Sequence, residues 1–409
     1  MNFRIFVLLA TIAPWPAYAA PLTFDAALRA ARSTAPSLKA SAIGVDAASA
    51  AADAAGRLPD PKASIAVESF PISGPLAFKP SRDDFTWVKL GLSQDFPNPA
   101  KRRAEIARAR SNISVARAET GVEERSVAVG TAVGWINLAY AGKRMAALDE
   151  IAARLRRYVD TAPAALASGA ARPAQTLSGR VALATLADRR SEQVAEADRA
   201  RAELTRWTGD PDPEVTGAMP DISLDTGALQ RALERHPTLA VIASQSDQTD
   251  AEVELARAGK RPDFGIDVAY QHRDPRFGDY VSAGVSMTLP FFSRHRQDPL
   301  IAAAQLQSVR TGARRDAARR ALEADLAAAL ADHRMHHEQW ERARDVLQPL
   351  AEQRVALETA SFASGRASLA DIIDAHVALA DTTLTVIDRE AAVATDAVRL
   401  KMTYLGDDQ

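Results

Sequence analysis

The sequence predicts a mainly α-helical chain with a small β part, laid out as a duplicated helix, strand, strand, long helix, return helix repeat. Three observations predict it. Alanine, the strongest helix former, makes up about a fifth of the residues. Motifs of the first half recur, in order, about 200 residues later. Four segments of about ten residues alternate apolar with small or polar side chains, which is the period of a strand.

The composition excludes several functions. Lys+Arg is 50 against 52 Asp+Glu, so the basic excess of a nucleic-acid binder is missing, and no nucleic-acid partner is expected. The chain has no cysteine, which removes disulfides, thiolate metal sites, a cysteine nucleophile and a lipidated N-terminal cysteine. No phosphate-binding P-loop, G-x-S-x-G or G-x-G-x-x-G occurs. Neither catalysis nor a cofactor is therefore expected.

The elements follow in order. Residues 1–19 read as a secretory signal: Arg4, an apolar run from Ile5 to Ala13, and the small-x-small site Ala17-Tyr18-Ala19. Residues 20–209 form the first repeat and 224–409 the second, joined by a Pro-, Gly- and Asp-rich linker at 210–223. The pairing rests on short matches. Pro36-Ser37-Leu38 returns as Pro237-Thr238-Leu239, "AGRLPD" from Ala55 as "AGKRPD" from Ala258, and "ASG" from Ala167 again from Ala363. Each repeat opens with a helix, about Phe24–Gly56 and Asp225–Gly259. The strands are expected at about 62–70 and 85–96, then at about 263–272 and 279–290. Long helical stretches follow, about Ala100–Ala167 and Leu300–Ala363, with kinks expected at Pro163 and Pro349. Return helices run about Pro173–Trp207 and Leu369–Tyr404. Leu148, Ile151, Ala152, Leu155 and Val159 make one apolar stripe, and Leu369, Ile372, Ile373 and Val377 another, at antiparallel coiled-coil spacing.

The strands point to a membrane. Phe264, Ile266, Val268 and Tyr270 alternate with Gly265, Asp267, Ala269 and Gln271, and Val281 to Leu289 alternate in the same way. One face suits lipid and the other a wet lumen. A soluble sheet lying on helices would alternate likewise, so a periplasmic coiled-coil scaffold stays open as an alternative. Four strands cannot close a barrel, and open edges are not tolerated in lipid. Membrane strands here require several chains to share one barrel, and three chains would supply twelve strands.

Export, duplication and this element order together resemble the TolC-like outer-membrane efflux protein family. The most specific local match is "ASGRASLADIIDA" from Ala363 to Ala375, while its first-repeat counterpart "ASGAARPAQTLSG" keeps the turn but lacks the acids. The resemblance covers essentially the whole chain after the signal. It implies a homotrimer with a twelve-strand β-barrel in the outer membrane continued by a twelve-helix α-barrel in the periplasm, non-lipidated. The implied partners are outer-membrane lipid, a periplasmic adaptor (membrane fusion) protein and an inner-membrane, proton-driven pump of the resistance-nodulation-division type. Two stretches, "LSQDFPNPAKRRAEIA" from Leu92 and "VSMTLPFFSRHRQDPLIAAA" from Val285, resemble the heavy-metal-efflux branch. Both depart from its pattern, with Ala100 in place of a usual Gly and Gln297-Asp298 in place of an Asn-x-Gly neighbourhood. Heavy-metal cations are the expected cargo, with drug export and type I protein secretion as alternatives.

The resemblance also singles out residues. Asp371 and Asp374 match the acids of the periplasmic entrance, where three copies would form carboxylate rings that attract cations. The helix turns Ser168, Gly169, Ala170, Ala171, Arg172 and Ser364, Gly365, Arg366, Ala367, Ser368, Leu369 are expected to be tips that contact the adaptor. Read from spacing alone, His333, His336 and His337 share a helix face and are weak candidates for metal; solvated histidines explain them better. Arg102 and Arg103, with Arg294 and Arg296, follow the strand ends and are expected to reach toward headgroups.

Overall fold

The computed structural model describes residues 21–167 and 173–406; the secretory signal and the turn Ser168–Arg172 lie outside the described residues. Two units divide the chain: Met1–Leu38, Glu124–Leu233 and Glu323–Gln409 belong to one, and Lys39–Glu123 and Glu234–Leu322 to the other. The long helices α3 (Pro99–Ala167) and α7 (Gln297–Arg342) contribute to both.

The single helix expected at the head of each repeat is two helices. In the first repeat α1 (Phe24–Thr34) stops before α2 (Pro36–Ala54). In the second, α5 (Thr226–Leu233) stops before α6 (Pro237–Ala258). The cause is the same both times. A proline has no N–H and forces the preceding residue out of the helical region, and Ala35 and His236 accordingly have ψ of 119° and 134°. The two prolines, read at first as part of the repeat, also set its first break.

The helical unit has two apolar clusters. Trp135, Ile136 and Tyr140 of α3, Leu204 of α4 (Pro173–Thr208) and Val398 of α9 (Leu369–Leu400) bury together. Phe24 meets Trp135 edge-on at 5.5 Å. The Trp135 indole N–H donates to Leu22 O at 2.9 Å, and Leu22 bridges to Val215 in the inter-repeat linker. The linker is thereby packed down, with Lys401 Nζ donating to Asp221 at 3.0 Å. The second cluster joins Leu148, Ile151 and Leu155 of α3 to Ala182 and Leu186 of α4 and Leu369, Ile373 and Ala380 of α9. Both stripes read from the sequence contribute to this cluster, through Leu148, Ile151 and Leu155 on one side and Leu369 and Ile373 on the other. Space is tight: a Cβ on Gly179 would lie 2.5 Å from Val159.

Proline acts differently in the two long helical stretches. Helix α3 runs through Pro163 without a break. The second stretch changes to a π-turn over Ala343–Leu347, directly before Pro349 in the first turn of α8 (Gln348–Ala363). The ring of Pro349 cannot accept the normal i−4 packing, and one residue of extra winding absorbs the misfit.

The second unit carries an antiparallel sheet of β1 (Lys62–Glu68), β2 (Trp87–Phe96), β3 (Phe264–His272) and β4 (Tyr280–Met287), in that order. Register places Ile65, Leu90, Tyr270 and Val281 in one row, and Leu92 beside Val268 in the next. These apolar side chains share one face and are exposed along its length, Ile65 at 75% and Val285 at 77%. The opposite face carries Ser64, Gly91, Ala269 and Ser282 in one row, with Lys62–Asp95 and Lys89–Glu68 ion pairs at 2.8 and 3.1 Å. The strands β1 and β4 are open edges of this sheet.

Candidate functional site

The break between α8 and α9 builds the predicted second tip. Gly365 takes φ of 74°, a left-handed conformation that glycine adopts without the Cβ penalty. Its neighbours close the helix end, with the Arg366 and Ala367 N–H groups donating to Ser361 O at 2.8 and 3.2 Å. Ser364, Gly365 and Arg366 are exposed, and the Arg366 side chain donates to Ser364 Oγ at 3.0 Å. Leu369 departs from its predicted role. It is 2% exposed and belongs to the second apolar cluster, so it anchors α9 internally and presents nothing to a partner. The first-repeat tip, Ser168 to Arg172, lies outside the described residues.

Ser368 starts α9 with a reciprocal cap. Its Oγ accepts from the Asp371 N–H at 3.3 Å, and the Asp371 carboxylate accepts from the Ser368 N–H and hydroxyl, each at 2.7 Å. This satisfies donors that a helix start leaves orphaned. The same bonds hold the Asp371 carboxyl below its ordinary range, the Ser368 hydroxyl first and its backbone N–H second. Asp371 is thus an ionised capping acid. Asp374, one turn on, is exposed and forms no ion pair among the described residues. It borders a groove of about 330 Å³ lined by Ser178, Val181 and Ala182 of α4 and by Ile373 and Val377 of α9.

Farther along, charged side chains tie the helices of this unit together. Arg144 of α3 meets Asp388 of α9 at 2.5 Å, and Tyr140 and Lys143 both donate to Glu390 at 3.1 Å. Burial, and then the Glu390 charge, push the Tyr140 phenol above its usual range, so it remains a donor. Arg190 of α4 pairs with Asp149 of α3 at 2.7 Å, and Arg189 with Asp381 of α9. Exposed pairs of this kind add little stability singly, but they fix which helix faces which.

The three histidines of α7 are separated by their partners. His336 Nδ1 lies 2.7 Å from Asp396 of α9, while His337 packs edge-on against Trp340 at 5.6 Å. His333 lies 6.2 Å from the His337 ring and is pushed below the ordinary imidazole range, by burial first. No group of three His, Asp or Glu side chains among the described residues is placed to hold a metal.

Sequence reasoning missed His376. It is 4% exposed and neither ring nitrogen has a hydrogen-bond partner among the described residues. Its ring lies 5.1 Å from that of Tyr158. The signal was available: positions 372, 373, 376, 379 and 380 form one helical stripe, and His376 occupies a core position of it.

The arginines after the strands also divide. Arg102 Nε donates to Gly56 O at 2.6 Å, so this side chain is spent inside the protein rather than extended toward headgroups. The carbonyl is available because Gly56 turns the chain at φ of 68°. Arg294 and Arg296 are exposed, and their side chains make no hydrogen bond or ion pair among the described residues.

Residues 228–406 match the model of the outer membrane efflux protein family. That match spans most of the second repeat. The first has the same order of elements, and solved structures extend the fold to nearly the whole chain. A membrane protein from Pseudomonas aeruginosa superposes with a TM-score of 0.80 at 15% identity, covering 93% of this chain and 90% of that one. The CmeC outer membrane channel of Campylobacter jejuni gives 0.73 at 15% identity, over 94% of this chain and 85% of that one. The open state of the MtrE outer membrane channel of Neisseria gonorrhoeae gives 0.76 at 15% identity, over 94% and 88%. No curated protein sequence matches significantly. The TolC-like efflux-protein fold read from the sequence is therefore the fold of this chain.

Proposed function

We propose that this chain is an outer membrane efflux protein, one of three subunits of an outer-membrane channel, a passive duct that extends into the periplasm. The observation that carries the reading is the sheet of the second unit. It has one apolar face, exposed along its length, and two open edges. In water that face would be a large unpaid exposure of apolar surface. In lipid it is the favourable face, but the edges must then be paired. Four strands from each of three chains meet both requirements. The same observation disfavours a soluble scaffold.

Partners follow from the helical unit. Exposed Ser364–Arg366 and the groove between α4 and α9 suit a helical hairpin of a periplasmic adaptor, which would join the duct to a proton-driven inner-membrane pump. Heavy-metal cations are the proposed cargo. Their support is the branch resemblance and the unpaired Asp374 carboxylate, repeated threefold at the entrance. The reading rests on assembly, and the mass of the particle extracted by mild detergent from outer membranes tests it. Three chains are expected; a monomer or dimer in the soluble periplasm overturns the proposal. In planar bilayers Asp374→Asn is expected to shift the reversal potential in a salt gradient away from cation preference. An unchanged potential would remove Asp374 from the entrance.

A further inference from the structure

The two repeats end their sheets differently, although the sequence aligns them. Pro97 corresponds to Pro290, so Asn98 and Pro99 correspond to Phe291 and Phe292, and Lys101 and Arg103 to Arg294 and Arg296. At the first junction Asn98 and Lys101 are tied to the connection between α6 and β3, while Arg103 is exposed. Asn98 is 4% exposed and its amide donates to Ala258 O and Asp263 Oδ1, at 3.1 and 2.9 Å. Its own Oδ1 accepts from the Lys101 N–H at 2.9 Å, and Lys101 pairs with Asp263 at 3.6 Å. The second junction does the opposite. Phe291 and Phe292 are 78% and 80% exposed. The basic residues after them, Arg294, His295 and Arg296, are exposed too. The nearest acid in sequence, Asp298, is already paired with Lys260.

We propose that this second junction, Phe291 to Arg296, is an anchor for anionic phospholipid at the periplasmic boundary of the membrane. The inference rests on the membrane reading of the sheet. Continuity is its first support: Val285, Met287, Leu289 and Phe291 keep the two-residue alternation of the apolar face past the end of β4, and all four are exposed. Charge is the second. An aromatic pair followed one residue later by arginines that make no ion pair among the described residues places a ring layer at the acyl boundary and guanidinium groups at the phosphates.

The natural chain has no cysteine, so single-site labelling needs no background removal. Phe292→Cys and Val268→Cys would each carry an environment-sensitive fluorophore in the full protein reconstituted into vesicles. The vesicles would contain phosphatidylglycerol or phosphatidylcholine brominated close to the headgroup. At 292, quenching by brominated phosphatidylglycerol is expected to be at least about twofold stronger than by phosphatidylcholine. Adding Arg294→Gln and Arg296→Gln should equalise the two. The label at 268 should be quenched alike by both lipids. Quenching at 268 without quenching at 292 overturns the anchor and leaves the membrane reading standing. Equal quenching at 292 by both lipids, with the arginines intact, overturns selectivity for anionic headgroups. Absence of quenching at both positions defeats the membrane reading itself.

Discussion

Val268→Arg should abolish accumulation of the protein in the outer membrane, while Gln271→Arg, three positions along the same strand, should leave it near the wild-type level. Val268 lies in the middle of β3, between Leu92 and Ala283, on the apolar face. An arginine facing lipid near the midplane costs about 2–4 kcal/mol per chain. In the proposed trimer that becomes about 6–12 kcal/mol per particle, comparable to the whole stability of an ordinary domain. Gln271 sits on the other face, between Lys89 and Tyr280, where a charge in a wet lumen is solvated. The measurement is the amount of each variant in purified outer membranes relative to total protein. If both variants assemble normally, the apolar face does not meet lipid. If Gln271→Arg fails and Val268→Arg assembles, the two faces have been assigned the wrong way round.

Much of this was legible because it depends on periodicity. The strand segments kept a two-residue alternation, and all four were found in the structure within three residues of the expected ends. The stripes Leu148 to Val159 and Leu369 to Val377 met in one cluster because three- and four-residue spacing fixes a helix face before any partner is known. What escaped was set by neighbours distant in sequence. Arg102 and Arg296 both follow a strand end, but the first donates to Gly56 O, whereas the second makes no side-chain hydrogen bond or ion pair among the described residues. Leu369 belongs to the turn by position and to the core by packing. Asp371 reads as a pore acid by resemblance, whereas S-x-x-D before an apolar run is also a capping signature, and its bonds follow that second pattern. The breaks at Pro36 and Pro237 needed no tertiary information; they follow from the proline rule alone.

His376→Leu should stabilise the assembled protein, and by more in acid than at neutral pH. Two costs combine at this position. A buried polar group without a hydrogen-bond partner costs about 1–3 kcal/mol, and both nitrogens of this imidazole are in that state among the described residues. Charging it would cost more. Burial first, and the nearby Arg154 charge second, lower its pKa from the ordinary 6.5. Tyr158, the ring against it, offers no negative charge in compensation. The sign follows from proton uptake. Below pH 6.5 the unfolded chain binds a proton here that the folded chain refuses, so unfolding is favoured as pH falls. Stability from this residue is complete above that pH and declines below it, by up to about 1.4 kcal/mol per pH unit, until the folded-state pKa is reached. Leucine has neither cost and fits a stripe already made of Ile372, Ile373 and Leu379. Thermal unfolding of wild type and variant between pH 8 and pH 5 measures the difference. The two curves should separate progressively below pH 6.5, with the variant higher throughout. Parallel curves would mean that His376 finds a proton acceptor in the assembled particle. A less stable variant at every pH would mean that the imidazole is bonded there and the cavity is shaped for it. Because His376 lies on α9 two residues beyond Asp374, the expected result also locates the effect. Acid would loosen the packing of α9 against α3 at the end of the duct proposed to receive the adaptor.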